Sequence, residues 1–174
     1  MSPYSSQHQY YLSGAERSAI AEIEGTTNIL KLVLKYTAMP FAAIAKFNDN
    51  DWVICAALDR GDFGLEQGDA FPLERTVCSE FLRAPEALLV PSLTQDSRFA
   101  LRPIVNQLGL DSYAGVPIFL PNGDLYGALC ALDTREAYFD DPDLAEVLSL
   151  FARLVGCILY ACIEDQAVEP VESV

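Results

Sequence analysis

The stretch DSYAGVPIFLPNGDLYGALCALD, residues 111–133, decides the fold. Two apolar runs flank Pro121-Asn122-Gly123-Asp124, a cluster of residues that each favour a turn for their own physical reason. The pattern predicts two antiparallel strands joined by a tight turn. Each run carries a glycine in its interior, Gly115 and Gly127, and the second also carries Cys130. A glycine inside a strand weakens it, and it marks a place where another backbone or a ligand comes close. Either the pair is a loosely built edge, or one face of the sheet is hollow and leaves room for a guest.

Working outward, Phe41–Phe47 (FAAIAKF) and Trp52–Leu58 (WVICAAL) predict a second hairpin across Asn48-Asp49-Asn50-Asp51. Residues 59–70 hold three glycines and four acidic residues and read as a loop. Leu73–Leu82 (LERTVCSEFL) reads as a short helix with Val77, Cys78, Phe81 and Leu82 on one face. Ala87–Val90 is a short strand ended by Pro91, and a second short helix reaches about Leu108, starting near Arg102 or Pro103. A helical pattern runs from a Ser13 cap, with Glu16 as its capping-box partner, to about Tyr36. Gly25-Thr26-Thr27 interrupts it and predicts two helices or one kinked helix. The last helix opens on Asp141 as N-cap and Pro142 at the first helical position, and it runs to about Ile163. Residues 1–12 read as a disordered arm and 166–174 as an acidic tail, leaving one domain over 13–165. Hairpins at both ends make the sheet mostly antiparallel. The two terminal helices share one face and the middle helices cover the other, an α+β arrangement.

Composition limits the function. The chain of 174 residues is 51% hydrophobic and carries a formal net charge of −14. Such a surface repels phosphate, which argues against nucleic acid and anionic membrane partners. The longest apolar run, Leu154–Ile163, is about half of what a bilayer needs, and residues 1–9 lack the apolar segment of a signal peptide. The five cysteines lie among apolar neighbours, and most read as small buried hydrophobes in a reducing cytoplasm. The only histidine is His8, in the polar arm. A Ser-His-Asp triad, a Cys-His pair and a histidine-rich metal site are therefore not expected in the folded part.

Several local signatures resemble those of GAF domains. Asp96-Ser97-Arg98-Phe99 looks like the D-x-R-F segment of that family, and Tyr113-Ala114-Gly115-Val116-Pro117 like its Y-A-G-x-P strand. Gly127-Ala128-Leu129-Cys130-Ala131-Leu132-Asp133 looks like its G-x-L-C-x-x-D strand, and Thr76-Val77-Cys78 like a short cysteine-containing helix start. The resemblance covers residues 14–165. It implies a central six-stranded mostly antiparallel sheet with helices on both faces, and a ligand pocket between the sheet and the middle helices. It also implies a small-molecule sensory or regulatory module of bacterial signalling proteins.

The ligand-binding candidates are Cys78, Phe81, Arg98, Phe99, Arg102, Tyr113, Gly115, Gly127 and Cys130. Arg98 could grip a carboxylate or phosphate bidentately, or tie its loop to Asp96; Arg102 is a second cation nearby. The Tyr113 hydroxyl could bond a ligand from the pocket floor. Gly115 and Gly127 serve either a ligand or helix-on-sheet packing. Phe81, Phe99 and Trp52 could wall a pocket or fill a core. Some GAF proteins reduce free methionine sulfoxide with pocket cysteines, so Cys78 and Cys130 define an alternative thiol chemistry, although their spacing does not match that pattern. Bilin attachment would want a cysteine in residues 101–111, and haem an axial histidine; neither is there. The N-K-x-n-F-x3-D-E motif of cyclic-nucleotide GAF domains is absent.

The last helix is apolar nearly all round at LVGCILYACI. One face can cover the sheet, and the other needs a partner. A homodimer packing first and last helices into a bundle meets that need, with a kinase or cyclase output as a further partner. No catalytic or metal residue is expected. A ligand-free dimerisation module is a further alternative.

Overall fold

The computed structural model describes Ser13 and residues 24–167. The expected arm, the Glu16 capping partner and the end of the acidic tail lie outside the described residues. Helix α1 (Glu24–Thr37) leads into β1 (Phe41–Asn48), β2 (Asp51–Asp59) and β3 (Ala70–Pro72). Two 3₁₀ turns, Leu73–Arg75 and Val77–Leu82, lead to β4 (Leu88–Val90). Helix α2 (Pro103–Leu108), β5 (Ser112–Phe119), β6 (Leu125–Asp133) and helix α3 (Leu144–Ala167) complete the chain.

The six strands form one sheet in the order β3-β2-β1-β6-β5-β4, and every pairing is antiparallel. The quoted stretch is the β5–β6 hairpin. Gly123 closes its turn at φ 94°, a conformation that favours glycine. The β1–β2 turn places Asp49 at φ 55°. Each hairpin contains one register shift: Cys55 is the extra residue on β2, and Tyr126 the extra residue on β6. These shifts let Cys55 and Ala56 both face the same side of the sheet.

Alternation along the strands divides the core in two. Ala42, Ile44, Val53, Ala114, Val116, Ile118, Leu129 and Ala131 face α1 and α3. Phe41, Ala43, Ala45, Trp52, Ile54, Tyr113, Ala128, Cys130 and Leu132 face the 3₁₀ turns and α2. The terminal helices share their face as expected, and Tyr36 meets Phe151 at a ring separation of 6.0 Å. Helix α3 buries Leu144, Leu148, Ala152, Val155 and Leu159 along one stripe. The Asp141 carboxylate accepts the Asp143 N–H at 2.9 Å, so the expected cap is formed.

Helix α1 begins at Glu24 and takes Gly25-Thr26-Thr27 into its first turns, with Thr26 buried; the residues before Glu24, on the other side of the expected break, lie outside the described residues. Two local expectations change. The helix expected over Leu73–Leu82 is two 3₁₀ turns, because Thr76 between them is extended (φ −99°, ψ 159°). Strand β3 falls where the sequence predicts no strand: Ala70 ends the expected loop, and three residues are too few to show a period. Helix α3 is also long and apolar enough to cross a membrane by length and composition, with mean hydropathy 1.9 over Leu144–Glu164. The uninterrupted run counted in the sequence is shorter because Glu146 and Arg153 divide it.

Candidate functional site

The face turned away from α1 and α3 carries a small enclosed chamber. Tyr113, near the start of β5, is fully buried, and its ring lies over Gly115: a Cβ at residue 115 would sit 2.6 Å from the ring. Gly115 is therefore small because Tyr113 occupies its space. Cys78 descends from the second 3₁₀ turn, and its sulfur lies 3.0 Å from the Tyr113 hydroxyl oxygen. Cys130 stands on β6 directly opposite Gly115 and lines the same cavity as Cys78. Trp52 of β2, Thr76, Val77, Ile104, Leu110 and Leu132 close the remaining sides around a cavity of about 10 Å³. That is room for one water at most.

The electrostatics single out one sulfur. Burial pushes the Cys78 thiol up, but the Cys130 thiol, the Tyr113 hydroxyl and the Trp52 indole N–H beside it outweigh this and leave its pKa below the ordinary thiol value. Cys130 is pushed well up, first by the neighbouring Cys78 thiol and then by burial. Tyr113 is raised by burial first and by the two neighbouring sulfurs next. Of the three groups, Cys78 alone is thus shifted toward deprotonation. The Trp52 Nε1–H is buried and has no acceptor within hydrogen-bonding distance; it bears on Cys78 only through space.

Of the nine candidates, Cys78, Phe81, Phe99, Tyr113, Gly115 and Cys130 meet on this face. Phe81 and Phe99 are buried in the surrounding core and do not line the cavity. Arg98 points to solvent, with Nε and Nη2 on the Asp96 carboxylate at 3.1 and 2.8 Å and its guanidinium 4.7 Å from the Phe99 ring. Arg102 donates from Nη1 to the Glu74 carbonyl at 2.8 Å and so ties α2 to the first 3₁₀ turn. Gly127 faces β1: a Cβ there would overlap the Ala45 carbonyl and lie 2.8 Å from its carbon. Sequence reasoning missed Thr76, Ile104, Leu110 and Leu132 as chamber walls. Cys78 and Tyr113 are separated by 35 residues, and no spacing rule connects them. Among the described residues, no group of three or more His, Cys, Asp or Glu side chains could hold a metal ion.

One antiparallel sheet, with the terminal helices on one face and a closed chamber under short turns on the other, defines an α+β domain. The profile of the GAF domain family matches residues 23–159, most of the chain, and the chain belongs to that family. GAF domains are sensory and regulatory modules. No curated relative matches the sequence. Solved structures share the fold at low identity. The PixJ GAF domain of Thermosynechococcus elongatus, in its blue-light absorbing form, is 14% identical with a TM-score of 0.69, over 90% of this chain and 95% of that one. The type II free methionine-R-sulfoxide reductase of Thermoplasma acidophilum is 11% identical with a TM-score of 0.64, over 84% and 96%. The chromophore-binding domain of Stigmatella aurantiaca phytochrome P1 is 11% identical with a TM-score of 0.60; the match covers 82% of this chain but only 57% of that longer one.

Proposed function

We propose that this chain is a non-catalytic sensory GAF domain that acts as a homodimer in the cytoplasm. The chamber around Cys78, Tyr113 and Cys130 receives the stimulus, and α1 and α3 carry the change to a second copy. The observation that carries this reading is the outer side of those helices. Leu32 and Tyr36 of α1 and Leu150 and Leu154 of α3 are exposed. Only 28% of the most apolar stretch of α3 is buried within one chain. A second copy packed on this face would remove the apolar surface from water. The signal works only if the stimulus has different free energies in the two states of the dimer. A chamber of about 10 Å³ has no space for an organic ligand, so such a guest must displace Tyr113 or lift the second 3₁₀ turn. Arg98, Arg102, Phe81 and Phe99 belong to the shell that would move with it. A kinase or cyclase domain is the proposed recipient of the signal.

Native mass spectrometry tests the dimer. The expected result is a dimer for the wild type and a monomer for Leu154→Glu. A monomeric wild type overturns the helix-bundle transmitter. A second reading, a thiol-based methionine sulfoxide reductase, is favoured by the placement of Cys78 and Cys130 on one small cavity. It predicts turnover of free methionine sulfoxide that Cys78→Ser abolishes; the sensory reading predicts none.

A further inference from the structure

Two features of the chamber go beyond packing. The first is the Trp52 indole N–H, which is 1% exposed and lacks an acceptor. A buried donor without a partner is costly, and folded proteins rarely leave one. The second is the pair of thiols beneath it. Cys78 lies 3.0 Å from the Tyr113 hydroxyl, and Cys78 and Cys130 line the same small cavity as Trp52. The cavity of about 10 Å³ is the size of one oxygen-centred group. An oxygen carried on the Cys78 sulfur would fill that space and give the indole N–H an acceptor.

We propose that Cys78 is a modification site for hydroperoxides, oxidised to a sulfenic acid inside the chamber and then resolved by Cys130 to a Cys78–Cys130 disulfide. The proposal rests on the sensory reading and names a hydroperoxide as the stimulus. In the first step the Cys78 sulfur attacks one peroxide oxygen; the S–O bond forms as the O–O bond breaks. The departing hydroxide, or the alkoxide of an organic hydroperoxide, takes the proton that Cys78 releases and leaves as water or as the alcohol. The sulfur is oxidised by two electrons and the peroxide is reduced. In the second step the Cys130 sulfur attacks the Cys78 sulfur. The S–S bond forms, the S–O bond breaks, and the hydroxyl leaves as water with the Cys130 proton. A thiol reductant restores both cysteines. The Tyr113 hydroxyl and Trp52 N–H are the donors placed to hold the sulfenic oxygen in the first step. Disulfide formation pulls the Cys78 sulfur from Tyr113, so the change is felt at the start of β5, whose other face lies under α3.

The experiment exposes wild-type protein and a Cys157→Ser/Cys162→Ser variant to hydrogen peroxide and locates oxidised cysteines by peptide mass. Trp52 is the only tryptophan, and it lines the chamber, so its fluorescence follows the same event. The expected results are a Cys78–Cys130 linked peptide, loss of most Trp52 emission, and recovery of both with dithiothreitol. In Cys130→Ala the oxygen stays on Cys78 and is trapped by a sulfenic-acid probe. Reduced thiols at Cys78 and Cys130 after exposure, in either protein, overturn the proposal. So does oxidation of buried Cys55, on the other face of the sheet, to the same extent. A thermal-shift screen with non-oxidising small molecules is run in parallel. Binding there, with the chamber inert to peroxide, overturns the redox proposal and leaves the sensory reading standing.

Discussion

Replacing Gly127 by alanine adds one methyl group at the centre of the sheet. Its Cβ would overlap the Ala45 carbonyl oxygen, lie 2.8 Å from the carbonyl carbon and 3.0 Å from the Lys46 Cα. Carbon atoms settle at about 3.5 Å or more, so β1 must retreat by roughly 0.7 Å or more. The obstacle is backbone and cannot rotate away. Residues 41–46 of β1 pair with 127–132 of β6, and these are the two middle strands. Retreat at Ala45 and Lys46 strains or breaks the last two pairings of that ladder. Each buried backbone group left unpaired costs about 1–3 kcal/mol. The expected loss is therefore about 3–5 kcal/mol, a large share of the 5–15 kcal/mol typical of a domain. Urea unfolding followed by Trp52 fluorescence measures it. A loss below about 1 kcal/mol would refute the argument and return Gly127 to the list of residues that keep space for a ligand.

The same unfolding assay applies to three further changes. Tyr113→Phe removes the hydroxyl that serves Cys78 and is expected to cost about 1 kcal/mol; because that hydroxyl helps lower the thiol pKa, alkylation of Cys78 should shift to higher pH. Arg98→Gln breaks an exposed ion pair with Asp96 and should change stability by less than about 1 kcal/mol, a larger effect pointing to a role beyond the loop. The Asp111 carboxylate sits below its ordinary value because hydroxyls of Thr94 and Ser92 and the Thr94 N–H outweigh its burial. A lowered folded pKa means the unfolded chain binds more protons, so this stabilisation is present above pH 3.8 and lost as pH falls below it. Asp111→Asn should lose stability at neutral pH and converge with wild type in acid, and parallel curves across that range would refute the assignment.

The alternation of apolar residues and the turn chemistry of 48–51 and 121–124 made both hairpins legible. The Asp141-Pro142 start made the last helix legible. These are local signals, each completed within a few residues. Strand β3 was not legible, because its three residues gain a partner only when β2 is in place. Nor was the extended Thr76, whose hydroxyl bonds the Leu73 carbonyl at 2.7 Å and splits an apparent helix into two 3₁₀ turns. The candidate site divides along the same line. The small residues of the quoted stretch announced close approach, but not who approaches. Tyr113, two residues from Gly115 in the same strand, fills one space, and the backbone of β1 fills the other.

The sequence by itself determined the α+β class, the two hairpins, the amphipathic terminal helices and the family, because periodicity, turn residues and short motifs are written in consecutive positions. It also determined that Arg98 had an acid two residues away to hold it. Only the tertiary structure decided that Cys78, Tyr113, Cys130 and Trp52 share one chamber. The first and last of these sit on a 3₁₀ turn and on β2, brought together by a sheet whose order, β3-β2-β1-β6-β5-β4, is not the order of the chain. Thiol chemistry depends on distances across that sheet, and these are set by long-range packing rather than by neighbours in sequence.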